Sequence, residues 1–112
     1  MRFQPESSIN VTNGDLFING VADSPVLLSA TDRTPGSWGG VNLERSGNSN
    51  LKQVTIEYGG RLVATYSANL GLSQSSATVS DVTLRNSSGY GVRISSDSTL
   101  SGTYQEIDNE LQ

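Results

Sequence analysis

The feature that most constrains this chain is a set of very short alternating apolar runs that recur at long, matching intervals. Ile9 and Val11, Leu16 and Ile18, Val26 and Leu28, Val41 and Leu43, and Leu51, Val54 and Ile56 lead the series. Leu70 and Leu72, Ala77, Val79, Val82 and Leu84, then Val92 and Ile94, Leu100 and Ile107 continue it. A period of two places such residues on one face of a strand, and turn residues separate the runs. No window of eleven residues carries a 3.6-residue period, so no long helix is expected. Leu43 to Leu72 is 29 residues, Val54 to Val82 is 28, and Leu70 to Val92 is 22. A unit near 22 residues built of short strands predicts an all-β solenoid, with rungs stacked at about 4.8 Å. The longer spacing predicts an insertion over 61–68, and a second loop is expected over 29–40.

Composition agrees. Ser, Thr, Asn and Gly make up 48 of 112 residues, which disfavours helix and suits turns and strand surfaces. Val, Ile, Leu and Phe total 27, enough for one modest core, so residues 1–112 read as a single domain.

Four strings resemble segments of bacterial and archaeal parallel β-helix repeat proteins. They are Asn19-Gly-Val-Ala-Asp-Ser-Pro-Val26, Pro35-Gly-Ser-Trp-Gly-Gly-Val41, Leu51-Lys-Gln-Val-Thr-Ile-Glu-Tyr58 and Asn86-Ser-Ser-Gly-Tyr-Gly-Val92. The resemblance covers about Ser8 to Ser98. It implies a right-handed parallel β-helix, here of about four rungs, with three short strands per rung. Members of that family are usually longer and many are secreted or displayed on cells. Polysaccharide lyases and pectin-degrading hydrolases share the fold. The resemblance carries no activity, because one fold hosts many functions.

Charge and residue types narrow the chemistry. The net charge is −4 and the seven basic residues are scattered, so no nucleic-acid footprint is expected. No run approaches the roughly 18 apolar residues of a membrane helix. The opening Met1-Arg-Phe-Gln-Pro-Glu6 has no apolar core, so it does not read as a secretory signal. Cysteine and histidine are absent, which removes disulfides, thiolate metal sites and the commonest general base. No motif calls for a cofactor.

Catalytic motifs fail on geometry. Ser49-Asn-Leu-Lys52 has the Ser-x-x-Lys spacing of acyl enzymes, yet that chemistry needs a helix and Leu51 opens a strand. Gly89-Tyr-Gly91 begins a dinucleotide fingerprint, but Ile94 stands at its third glycine. Glycoside hydrolysis needs paired carboxylates. Glu57 is expected on a solvated outer face, Asp81 just before a strand, and Asp32 and Asp97 in turns. Related lyases use Asp with Ca²⁺ and a basic residue, and Arg85 and Arg93 have no acidic cluster beside them. Thr55 and Thr83 are expected to stack as an outward pair, too short for an ice-binding array. Asn10-Val-Thr12 and Asn86-Ser-Ser88 are glycosylation sequons, informative only in a eukaryotic secretory setting, and Asn86 reads better as a turn residue bonding backbone of neighbouring rungs.

The expected function is a non-catalytic binding or structural module, with carbohydrate or another surface macromolecule as partner. Trp38, Tyr58, Tyr66 and Tyr90 are the candidate sugar platforms, Trp38 foremost because of its Pro-Gly-Ser-Trp-Gly-Gly loop. Alternatives are a remnant of a polysaccharide-degrading enzyme and a self-assembling unit. Residues 1–8, with Phe3 and Pro5, are the expected cap of the first rung. The last rung is expected either to pair with another copy through Tyr104, Ile107 and Leu111, or to stay apart because Glu106, Asp108 and Glu110 charge its edge.

Overall fold

A strand such as Val41-Asn-Leu-Glu44 buries every second side chain, and one strand alone has nothing to bury them against. In the computed structural model, which describes residues 1–5, 7–61, 67–95 and 97–110, the solution is lateral repetition. The described residues form strands β1 (Arg2–Phe3), β2 (Ile9–Thr12), β3 (Phe17–Asn19), β4 (Val26–Ala30), β5 (Val41–Glu44) and β6 (Ser49–Glu57). They continue with β7 (Ala68–Ser73), β8 (Ser76–Arg85), β9 (Tyr90–Ile94) and β10 (Thr99–Ile107). No helix occurs among the described residues, as expected.

Every pairing between these strands is parallel. One sheet has the order β2-β5-β7-β9; the other runs β1-β4-β6-β8-β10, with β3 also on β6. The chain therefore alternates between sheets in four passes: β2 then β3 and β4, β5 then β6, β7 then β8, and β9 then β10.

Register aligns the apolar residues into rows across the passes. Ile9, Val41, Leu70 and Val92 form one row, and Val11, Leu43, Leu72 and Ile94 the next. Ile18, Leu51, Val79 and Gly102 form a third. Val26, Val54, Val82 and Tyr104 form a fourth, and Leu28, Ile56, Leu84 and Glu106 a fifth. The 29-, 28- and 22-residue spacings are thus the pairing register itself. Members from the two middle passes are at most 2% exposed, and burying each such side chain contributes roughly 1.5–3 kcal/mol. The rows loosen at the end, where Ile94 is 44% exposed.

The bends recur as strictly as the strands. Among the described residues nine non-glycine residues have positive φ, and all nine fall at three bend positions. Asn13, Arg45, Gln74 and Asp97 follow the strands of the four-stranded sheet. Gln53 and Asp81 kink β6 and β8 at matching points. Tyr58, Asn86 and Asp108 follow β6, β8 and β10. A left-handed residue costs about 1–2 kcal/mol, and five of the nine are Asn or Asp, the types that bear it best. Asp81 therefore sits inside a strand rather than ahead of one. At the first bend, serines of successive passes satisfy each other's backbone: the Ser46 amide donates to Ser75 Oγ at 3.0 Å and the Ser75 amide to Ser98 Oγ at 3.2 Å.

Length differences fall at the third bend, whose connections span 31–40, 58–67 and 86–89, and at the second, where 20–25 separate β3 from β4 while β6 and β8 run through. Both expected loops have one edge inside a strand: Ser29 and Ala30 belong to β4, and Ala68 opens β7, while the second connection begins earlier, at 58. Ala30 and Ala68 are fully buried, small residues that extend the ladders to the bend. Within the expected cap, β1 lies beside β4, with Arg2 opposite Ser29 and Phe3 opposite Ala30.

The last pass is one residue tighter at the second bend. Gly102 opposes Val79 and Tyr104 opposes Val82, so Thr103 alone spans Ser80 and Asp81. Its hydroxyl accepts the Asp81 amide at 2.9 Å. Gly102 has φ +115, and an added Cβ would lie 1.8 Å from the Val79 carbonyl oxygen. Gly102→Ala is expected to detach β10 locally. Hydrogen exchange should then speed up in β10 amides while β5 and β7 keep their protection; unchanged β10 protection would refute this.

Candidate functional site

Among the described residues, two open depressions stand out on the outside of the six-stranded sheet, one over β3 and β6 and one at the second bend. Apart from Val82 and Tyr104, their residues neighbour the apolar rows on the outward side, placed there by the same alternation that turns Ile18, Leu51 and Val79 inward. Phe17, Asn50, Thr78 and Ser101 form one outward row, and Asn19, Lys52 and Ser80 the next. Phe17, Asn19, Asn50 and Lys52 enclose a depression of about 330 Å³. Phe17 is 64% exposed, an unusual setting for a phenyl ring, and stands among amides and one ammonium.

The second depression, of about 560 Å³, is lined by Gln53, Asp81, Thr83, Thr103, Tyr104 and Gln105 together with Val82. Gln53 Nε2 donates to Asp81 Oδ2 at 3.0 Å, so the acid is held by the neighbouring pass. The groove offers amide, hydroxyl and carboxylate groups with one tyrosine at its end. Thr55 and Thr83 are direct partners, as expected, with Leu27 and Gln105 completing their row.

The expected platforms lie elsewhere. Trp38 has no exposed surface, which corrects its reading as a sugar platform. Its ring stacks on Phe3 at 4.3 Å between centroids with 5° between planes. Its indole N–H donates to the Glu57 carbonyl at 2.8 Å. The loop has folded its largest residue inward, where the ring joins the core cluster beside Phe3. Tyr58 is half-buried against the core at the third bend, and Tyr90 is half-buried at the start of β9. Trp38, Tyr58 and Tyr90 line neither depression. Tyr66 lies outside the described residues. Of the expected self-association residues, Tyr104 and Ile107 are 37% and 40% exposed on β10, and Leu111 lies outside the described residues.

Glu57 also needs correction. It does point outward, but it is 4% exposed rather than solvated. Arg85 Nη2 and Nε both reach Glu57 Oε1 at 2.7 Å, and Ser29 Oγ donates to Oε2 at 2.7 Å. The carboxylate is thus fully engaged in a row with its neighbours. The role expected of Asn86, bonding backbone across passes, is carried by Asn69 and Asn109. Asn69 accepts from the Gly59 amide and donates to the Arg85 carbonyl; Asn109 accepts from the Ser87 amide and donates to the Leu84 carbonyl.

Among the described residues, no group of three or more Asp, Glu, His or Cys gathers to hold a metal ion. No helix long and apolar enough to cross a membrane is present among them either. Phe17 escaped the sequence reading although its signal was there: in Leu16-Phe17-Ile18, the two flanking residues point inward, so the ring between them must point out. No family model, curated protein or solved structure matches this chain.

Proposed function

We propose that this chain is a short right-handed parallel β-helix of four coils that acts as a non-catalytic carbohydrate-binding module. The four passes are the coils, and the three recurring bends divide each coil into three short walls. Parallel crossovers of this kind are right-handed in about 98% of cases, which supports the hand. The resemblance of Asn86-Ser-Ser-Gly-Tyr-Gly-Val92 and its companions to β-helix repeats supports the same reading.

The observation that carries the binding role is Phe17, exposed on the outer wall beside Asn19, Asn50 and Lys52. A ring with one apolar face open to water offers a stacking surface for a sugar's C–H face. Amides on the adjoining rows supply donors and acceptors at the strand spacing of about 4.8 Å. Thr78 and Ser101 extend the row in hydroxyls toward the last coil, giving an extended glycan a continuous track.

Titration of a panel of soluble oligosaccharides, followed by amide chemical shifts, tests this. Shifts are expected to centre on β3 and β6, and Phe17→Ala is expected to weaken binding about tenfold, equivalent to about 1.4 kcal/mol. A panel that shifts nothing, or binding indifferent to Phe17→Ala, removes the proposal.

A further inference from the structure

We infer that the two ends of the molecule are complementary, and that copies stack head to tail with β10 of one taking the place that β1 holds in the next. The apolar rows stop at an open edge on each side. On the first side they begin with Ile9, Val11 and Ile18, all half-buried; on the last they end with Val92, Ile94 and Gly102. A second copy set in register places its Ile9 on Val92 and its Val11 on Ile94. Its Ile18 lies over Gly102, the one member of that row with no side chain. Unpaired strand edges with apolar rows behind them are templates for another strand.

Strand direction selects the orientation, because only head-to-tail contact continues the all-parallel pairing with the apolar rows on one side. The last pass carries Asp97, Glu106, Asp108 and Glu110 against a single basic residue, Arg93. Two such edges facing each other would oppose eight carboxylates, and like charges on facing strands are destabilising. Head-to-tail contact also brings eight carboxylates together, since the first pass carries Glu6, Asp15, Asp23 and Asp32, but it sets three arginines among them rather than two.

One place on the first side is already taken. β1 sits where the third wall of a preceding copy would lie, and it holds that place through two residue pairs, Arg2 with Ser29 and Phe3 with Ala30. The stretch from Tyr104 to Ile107 makes four such pairs with β8, and its outer edge is free to offer the same number to β4 of another copy. β1 is a stand-in for a neighbour's strand, and its displacement sets the barrier to stacking. The joint is heterologous and does not close on itself, so it propagates into fibres.

The chain has no cysteine, so introduced pairs report alone. Leu27 and Gln105 end one outward row, three strand spacings or about 14 Å apart within a copy. That exceeds the roughly 4.4–6.8 Å between Cα atoms that a disulfide spans, whereas stacked copies bring them to about 4.8 Å. Asn10 and Arg93 end an equivalent row in the other sheet. Under air oxidation, Leu27→Cys/Gln105→Cys and Asn10→Cys/Arg93→Cys are each expected to give ladders of covalent multimers. Single Gln105→Cys and Arg93→Cys chains are expected to stay uncrosslinked. Dimers from the single variants overturn the orientation, and a ladder from the second pair without one from the first overturns the displacement of β1. Both pairs remaining monomeric, with unsubstituted chain monomeric by light scattering at its highest soluble concentration, overturns the stacking itself.

Discussion

Trp38→Ala is expected to lower the free energy of unfolding by about 3–5 kcal/mol, the usual cost of deleting a large buried aromatic. Three losses combine. The indole is fully buried, so its removal opens a cavity beneath a bend whose backbone is fixed by neighbouring passes. The Phe3 ring loses the face it stacks on, and with it the main apolar anchor of β1. The Glu57 carbonyl loses its donor, and an unpaired buried acceptor costs about 1–3 kcal/mol. Small domains have only about 5–15 kcal/mol to lose. Urea unfolding should show a lower midpoint with little change in slope. Trp38→Phe separates the terms, since it keeps a ring for Phe3 but not the N–H, and should fall between. A drop below about 1 kcal/mol for Trp38→Ala would show that the bend collapses onto the cavity and that the plug is dispensable.

Arg85→Met is expected to cost a comparable 3–5 kcal/mol, because it strands a buried carboxylate. The Glu57 side chain is 5% exposed while that of Arg85 is 43% exposed. The asymmetry predicts unequal single substitutions. Without Arg85, Glu57 keeps only the Ser29 hydroxyl for its charge. Without Glu57, Arg85 still reaches water, so Glu57→Gln should cost markedly less. The double variant Glu57→Gln/Arg85→Met should recover most of the loss, and denaturation of all four proteins in a double-mutant cycle measures it. Additive costs would mean that Glu57 is stabilised by something other than this ion pair.

The rows were legible in the sequence because each is a linear pattern repeated. Leu43, Leu72 and Ile94 could be aligned by counting, and they do share one row. The second bend was written there too, less openly. Leu51 and Val54 are three residues apart yet both point inward, as do Val79 and Val82, and only a kink reconciles that spacing with a period of two. Trp38 was opaque for a physical reason: a loop residue has no period, so nothing local says which way its ring turns. Glu57 was opaque because the residues that enclose it, Ser29 and Arg85, are each 28 positions away. Phe17 lay between two core residues and was passed over for aromatics in loops, although alternation alone fixed its outward direction.

The uneven connections at the third bend bear on how such a chain can change. Ten residues at 31–40 and four at 86–89 join equivalent points of successive passes, and the register on either side is indifferent to the difference. Apart from 20–25, which separate β3 from β4 where β6 and β8 run on, the large differences in length lie along this one ridge. Sequence can be gained, lost or exchanged along that ridge while the outer wall bearing Phe17 keeps its spacing, so recognition and size evolve as separate traits.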